Sequence, residues 1–295
     1  MKRWSATLLL IGVAVVWGWT FVIVVNAIAV YGVMPFLAVR FTIAAAAALL
    51  LWGRHLDGRS LRAGLLIGLI PAAGYLLQTW GLRFTTATNA GLITGLFVVL
   101  APIADRIFYK RRLLSTAWLS IGLSLVGMSL LTGRLPTQLA LGDFLVFGCA
   151  LAFGLHIAVL SHHTPRHDPR ALSTAQMLGM ALLFLLLWPV TAPVGPPPPE
   201  VYFALILTGV VASALAYAIQ TAAQQVLSTV QTALILTLEP VFAGVFGIWL
   251  AGERLNLSQS LGALLIIIAV LLAEILPLIG ADTKVPGRKA GDSST

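Results

Sequence analysis

The stretch Gly74–Gly91 reads GYLLQTWGLRFTTATNAG, and a second stretch, Ala216–Ala233, reads AYAIQTAAQQVLSTVQTA. The two align without a gap at an offset of 142 residues. Tyr75, Gln78 and Thr79 meet Tyr217, Gln220 and Thr221, and Asn89 meets Gln231, another side-chain amide. A Tyr and a Gln three residues apart share one face of a helix. Both copies sit among strongly apolar segments, where a phenol or an amide needs either a partner or a wet cavity. Two readings stand. The pair can bond neighbouring helices, or a polar face used once in each half of the chain can line a cavity between the halves.

The composition around these stretches is that of a protein dissolved in lipid. Of 295 residues, 59% are hydrophobic and 9% charged, and the mean hydropathy is +0.97. Soluble domains carry about a quarter charged residues. The net charge of +8 would suggest nucleic acid in a soluble protein. Here the bases gather at the ends of apolar runs, which points to membrane topology and to no nucleic-acid partner. The single Cys149 excludes an internal disulfide. Met1-Lys2-Arg3 before an apolar run imitates a signal peptide, but no convincing small-x-small cleavage site follows, so the run reads as a retained first helix.

A bilayer core needs roughly 20 apolar residues per helix, and ten segments qualify. They are Thr7–Val25, Pro35–Trp52, Leu61–Leu82, Ala90–Phe108, Thr116–Leu131, Gly142–Leu160, Leu172–Val190, Tyr202–Gln224, Thr232–Leu250 and Leu257–Leu278. With the N-terminus in the cytoplasm, the cytoplasmic segments hold 14 of the 18 Lys and Arg. The opposite side holds Arg83, Arg134 and Arg254, and Arg40 lies inside the second helix. That asymmetry predicts both termini inside.

The repeat extends further. At the offset of 142, Arg112-Leu113 meets Arg254-Leu255. At an offset of 136, Gly12, Gly18 and Trp52 meet Gly148, Gly154 and Trp188. The difference fits a longer seventh-to-eighth connection with its Pro196–Pro199 run. The expected fold is therefore an all-α integral membrane protein of ten transmembrane helices, a 5+5 inverted repeat. Its parts are 1–135, 136–280, and a disordered cytoplasmic tail over 281–295. Five is odd, so the second copy runs upside down, and such repeats place a site at their interface.

These motifs also carry a family resemblance. VVWGWTFVIVV at Val15–Val25, PFLAVRF at Pro35–Phe41, LRFTTATNAGLITGL at Leu82–Leu96 and LEPVFAGVFGIWLAGERLNLSQSLGALLIIIAVLLA at Leu238–Ala273 resemble, in order and spacing, the EamA-type drug/metabolite transporters. The resemblance implies a ten-helix transporter of the bacterial inner membrane, and suggests the amino-acid exporters of that family, including those for aromatic amino acids. YKRRLL at Tyr109–Leu114 departs from the Gly-Glu-Arg-Leu pattern seen at Gly252–Leu255.

The residues expected to line a substrate site are Trp17, Thr20, Tyr75, Gln78, Thr79, Phe97, His156, Tyr217 and Gln220. Trp17, Trp19, Tyr75, Phe97 and Tyr217 lie within helices. They form either an aromatic wall or helix packing, whereas Trp4, Trp52 and Trp188 suit interfacial belts. His156, which matches Thr20 at the offset of 136, is either a bonded packing residue or a proton relay. Glu239, before Pro240 and near the middle of the ninth segment, is either a coupling or amine-binding acid or a partner for backbone groups freed by the proline. Arg40 and Glu274 are expected near helix ends as interfacial anchors, and Glu253-Arg254 as a turn. His162, His163 and His167 lie in a stretch, SHHTPRHDPR, that reads as a cytoplasmic loop rather than a metal site. No cofactor is implied, no catalytic residue stands out, and no GxxxxGK[ST] motif is present.

The expected activity is alternating-access transport of small neutral or zwitterionic metabolites, amino acids first, by a protein working as a monomer with lipid and substrate as its partners. With no base expected near the midplane, phosphorylated substrates are disfavoured. The competing readings are an intramembrane enzyme, a channel, and a drug/metabolite carrier with a different substrate.

Overall fold

The computed structural model describes residues 1–85, 87–111, 115–132, 140–191, 195–251 and 256–282. Every regular element among them is helical. In chain order these are α1 (Arg3–Tyr31), α2 (Val33–Trp52), α3 (Gly58–Gly81), α4 (Ala87–Gly95), α5 (Phe97–Tyr109), α6 (Ser115–Thr132), α7 (Leu141–His163) and α8 (Pro169–Thr191). They continue with α9 (Tyr202–Ile206), a π-helical segment over Leu207–Leu215, α10 (Ala216–Ala223), α11 (Thr229–Leu236), α12 (Glu239–Ala251) and α13 (Leu257–Asp282).

Six helical stretches among the described residues are long and apolar enough to cross a bilayer: Arg3–Thr20, Val33–His55, Gly58–Gly81, Leu141–Arg166, Pro169–Thr191 and Pro199–Ala223. Their outward faces are apolar. Leu50 is 88% exposed, Val190 83% and Leu66 68%, which in water would be an aggregation surface and in lipid is the solvated one. The chain is a multi-pass membrane protein.

Helix boundaries follow local chemistry. Gly32, at φ +83°, stops α1 and starts α2 in a backbone conformation that disfavours other residues. Asp57 caps α3, its Oδ1 accepting from the backbone N–H groups of Arg59 and Ser60 at 3.0 Å each. Ser228 and Gln231 form a capping box at the start of α11. Gln231 is thereby a cap and not a counterpart lining a cavity; the Ser-x-x-Gln spacing was the signal for it. The side chain of its partner Asn89, like those of Glu253, Arg254 and Glu274, lies outside the described residues. So does the tail from 283 onward.

Packing runs mainly between the first and second parts of the chain. α3 lies on α7 and α8, α2 on α8 and the π segment, and α5 on α7. α6 lies on α13, and α1 on α10 and α12. Small residues permit the approach. A Cβ on Gly68 would stand 2.5 Å from the Gln176 carbonyl oxygen, and one on Gly179 would stand 2.7 Å from that of Leu65, so the α3 and α8 backbones touch. This contact fixes Gln176, which faces the bundle interior.

Two helices are interrupted at matching points. α4 yields to α5 at Leu96, whose N–H bonds the Ile93 carbonyl at 3.1 Å. α11 yields to α12 after Leu238, whose N–H bonds the Ile235 carbonyl, also at 3.1 Å. Both are three-residue bonds, tighter than the α-helical ladder, and they lie at the same offset of 142. The ninth segment is therefore two helices. Glu239 does not sit mid-helix but opens α12, with Pro240 behind it, where a missing proline N–H costs nothing and an acid is favoured by the helix dipole.

Candidate functional site

All ten candidate site residues, Trp17, Thr20, Tyr75, Gln78, Thr79, Phe97, His156, Tyr217, Gln220 and Glu239, border one cavity with about 710 Å³ of atom-free space, part of it open to solvent. Its walls come from α1, α2, α3, α5, α7, α10, α11 and α12. Phe97 and Glu239, the first residues of α5 and α12, are brought to it by the two helix interruptions. Discontinuous helices of this kind turn free backbone ends towards a cavity.

The aromatic groups form a connected lattice. Tyr217 lies 6.1 Å from Trp17, 6.4 Å from Tyr75 and 5.6 Å from the His156 ring, between ring centroids. Tyr75 also meets Phe153 edge-to-face at 5.2 Å and Phe41 at 5.1 Å. Trp17 is tied down as well as stacked: its indole N–H donates to the Ala212 carbonyl at 2.8 Å. Trp19 does not take part and packs on Phe203 and Phe246. Trp188, expected in an interfacial belt, is buried against Tyr31.

Several expected polar groups are bonded to the protein. Thr20 donates to its own helix at the Trp17 carbonyl, 2.9 Å away. Gln78 donates through Nε2 to Thr94 at 3.2 Å, joining α3 to α4. His156 Nε2 meets Gln176 Oε1 at 2.7 Å, and Gln176 reaches on to Thr221. Gln220 donates to Gln224, which donates in turn to the Ile157 carbonyl and Ser161. The Tyr/Gln face thus both joins helices and borders the cavity.

The principal correction concerns Arg40. It was expected near a helix end, reaching for the interface. It lies instead inside α2, is 4% exposed, and borders the cavity. Its Nε donates to Ser213 at 3.1 Å, and its guanidinium lies 4.7 Å from the centroid of the Tyr75 ring and 5.2 Å from that of Phe41. The π segment packs on α2 at this point, a Cβ on Gly209 standing 2.9 Å from the Arg40 carbonyl oxygen, and Ser213 of that segment holds the side chain inward. The expectation that no base stands near the centre of the bundle therefore fails, and with it the argument built on that absence against anionic groups. The sequence signal was a lone arginine within an apolar run. The π segment itself has no such signal, and neither do the apolar lining residues Val24, Leu82, Phe153, Ile157 and Leu236.

The histidines also differ from expectation. His162 and His163 occupy the last turn of α7 rather than a loop, with His162 stacked on Tyr109 at 4.1 Å. His167 Nδ1 meets Ser60 Oγ at 3.0 Å. Burial, assisted by the positive charge of Arg59, lowers its pKa from the usual imidazole value. Among the described residues no group of three His, Cys, Asp or Glu side chains is placed to hold a metal.

The EamA-like transporter family matches this sequence over residues 4–133 and again over 140–275. The chain belongs to that family. This EamA-family chain is 34% identical over 275 residues to a protein of Archaeoglobus fulgidus described as an uncharacterized transporter, covering 93% of this chain and 87% of that one. It is 25% identical over 290 residues to the uncharacterized transporter YyaM of Bacillus subtilis, covering 93% and 95%. A solved crystal structure superposes with a TM-score of 0.77 at 16% identity, covering 93% of this chain and 98% of the other, a likeness of fold. Family and relatives make this EamA-family chain a membrane transporter.

Proposed function

We propose that this protein is a secondary transporter working by alternating access, which exports small neutral or zwitterionic metabolites across the bacterial inner membrane. Its substrates in this reading are amino acids with aromatic or large neutral side chains. The observation that carries the reading is a cavity bordered jointly by helices of both parts of the chain, with Tyr75 and Gln78 from the first and Tyr217 and Gln220 from the second. A site shared by two pseudo-equivalent halves can open alternately to either face as the halves rock.

The architecture in this reading is ten crossings in two inverted repeats, 1–135 and 136–280, followed by a short tail, with both termini cytoplasmic. The packing supports it by being reciprocal. The third helix of the first part meets α7, the first helix of the second, just as α10 in the second part meets α1. α6 and α13, the last helix of each, pack on each other. The matched interruptions at Leu96 and Leu238 add to this. The aromatic lattice suits a ring-bearing or large aliphatic side chain. Export rather than uptake rests on the family likeness, and a monomer suffices because one chain supplies all the walls.

Counterflow in proteoliposomes tests the reading. Vesicles loaded with unlabelled L-phenylalanine should accumulate labelled L-phenylalanine transiently. A channel would only equilibrate it, and an enzyme would alter it.

A further inference from the structure

We infer that Arg40 receives the carboxylate of the substrate in the central cavity, while Gln220 and Glu239 receive its ammonium group. The assignment rests on the transport reading above and adds to it the residues that orient the substrate.

The first observation is that Arg40 is a buried cation without an acid. No carboxylate among the described residues lies within ion-pairing distance of its guanidinium. Its neighbours are the hydroxyls of Ser213 and Tyr75, with that of Tyr217 nearby, and the rings of Tyr75 and Phe41. A buried charge is costly unless paired. Ring faces attract a guanidinium but do not engage the in-plane fork of five donors that matches a carboxylate. A purely structural arginine would be expected to have its own acid or to snorkel to the interface, and Arg40 does neither.

The second observation is an unused acceptor on the opposite half. The Ile157 carbonyl can only accept, so the Gln224 amide must present its nitrogen there, at 2.8 Å. Its oxygen then accepts from Gln220 Nε2 at 3.2 Å. That fixes Gln220 with Oε1 turned away, buried and without a partner among the described residues. The orientation follows from the network rather than from the appearance of the amide. An unpaired buried acceptor beside a cavity calls for a donor from a ligand.

The third observation is the charge balance. Glu239 borders the same cavity and makes no ion pair with Arg40. One guanidinium, one carboxyl group and one free amide acceptor around an aromatic wall match an amino acid. A cationic amine would meet Arg40 unpaired, and a phosphorylated dianion would meet Glu239.

The test uses purified protein and four probes that share one ring: L-phenylalanine, L-phenylalaninamide, 3-phenylpropionate and phenethylamine. Binding is read by calorimetry and exchange in proteoliposomes. The amide, which lacks the carboxylate, and phenethylamine should bind at least ~10-fold more weakly than L-phenylalanine, the loss expected for a charge-assisted bond. Arg40→Gln should bring L-phenylalanine down to the level of its amide, while Arg40→Lys, which keeps the charge but not the fork, should fall between. If Arg40→Gln does not fold, the wild-type probe series still decides, and Ser213→Ala, which frees the guanidinium, should narrow the gap between acid and amide. Equal binding of phenylalanine and its amide overturns the Arg40 assignment and leaves the transport reading standing. Binding and exchange of 3-phenylpropionate with no binding of phenylalanine overturns the ammonium assignment and the amino-acid reading, while Arg40 keeps its role. Binding of none of the four overturns both.

Discussion

Gly209 never borders the cavity, yet its replacement should damage the site. It lies in the π segment against α2. A Cβ at that position would stand 2.8 Å from Ile43 Cγ2, 2.9 Å from the Arg40 carbonyl oxygen and 3.0 Å from Ile43 Cβ. The carbonyl is backbone and cannot turn aside, so α2 and the π segment must part by a few tenths of an ångström. Overpacking of this kind costs about 1–3 kcal/mol, and alanine returns about 0.5–1 kcal/mol over glycine within a helix. Gly209→Ala should therefore destabilise by roughly 0–2.5 kcal/mol. The larger effect should fall on function, because the same separation stretches the 3.1 Å bond from Arg40 to Ser213, four residues along the segment. Gly12→Ala is the control: nothing lies within 4 Å of its added Cβ, and the residue faces outward, so stability should hold or rise slightly. Thermal unfolding of both variants in detergent, together with L-phenylalanine exchange in proteoliposomes, measures the two effects. Gly209→Ala matching wild type in both, or Gly12→Ala losing as much, would refute the reasoning.

Other outcomes follow from the same geometry. Glu239→Gln keeps the shape of the side chain at the start of α12, so the protein should insert normally but lose transport and any response to an imposed pH gradient; an unchanged rate and gradient response would make Glu239 structural. Trp17→Phe removes the bond to Ala212, about 0.5–1.5 kcal/mol, but keeps a ring, whereas Trp17→Ala should impair exchange of large side chains more than small ones. Uniform loss in both would make the indole a packing element. Gln78→Ala and Gln220→Ala should each weaken exchange of every amino acid carried, and a silent Gln220 variant would restrict the site to the first half. A cysteine placed at Gly195 in a Cys149→Ser background should react with an impermeant reagent on intact cells, and reaction only after permeabilisation would reverse the proposed orientation.

Membrane class and helical content were legible in the sequence because both depend on composition and local periodicity. Long apolar runs in lipid leave helix as the simplest way to satisfy the backbone. That Tyr75, Gln78, Tyr217 and Gln220 share one cavity was legible because a polar face is written twice in one register. What the sequence did not carry was anything set by contact between distant segments. Arg40 read as an interfacial anchor because its run of neighbours says nothing of the π segment lying across α2. Glu239 read as mid-helix because Pro240 is compatible with either a kink or a fresh start, and only the three-residue bond closing α11 decides between them. Gln220 was expected to face the cavity, but which of its amide atoms is free depends on Gln224, one turn on, and through it on the Ile157 carbonyl of α7. Periodicity places a side chain on a face; whether a charge there is covered, paired or left open depends on which backbone packs against it.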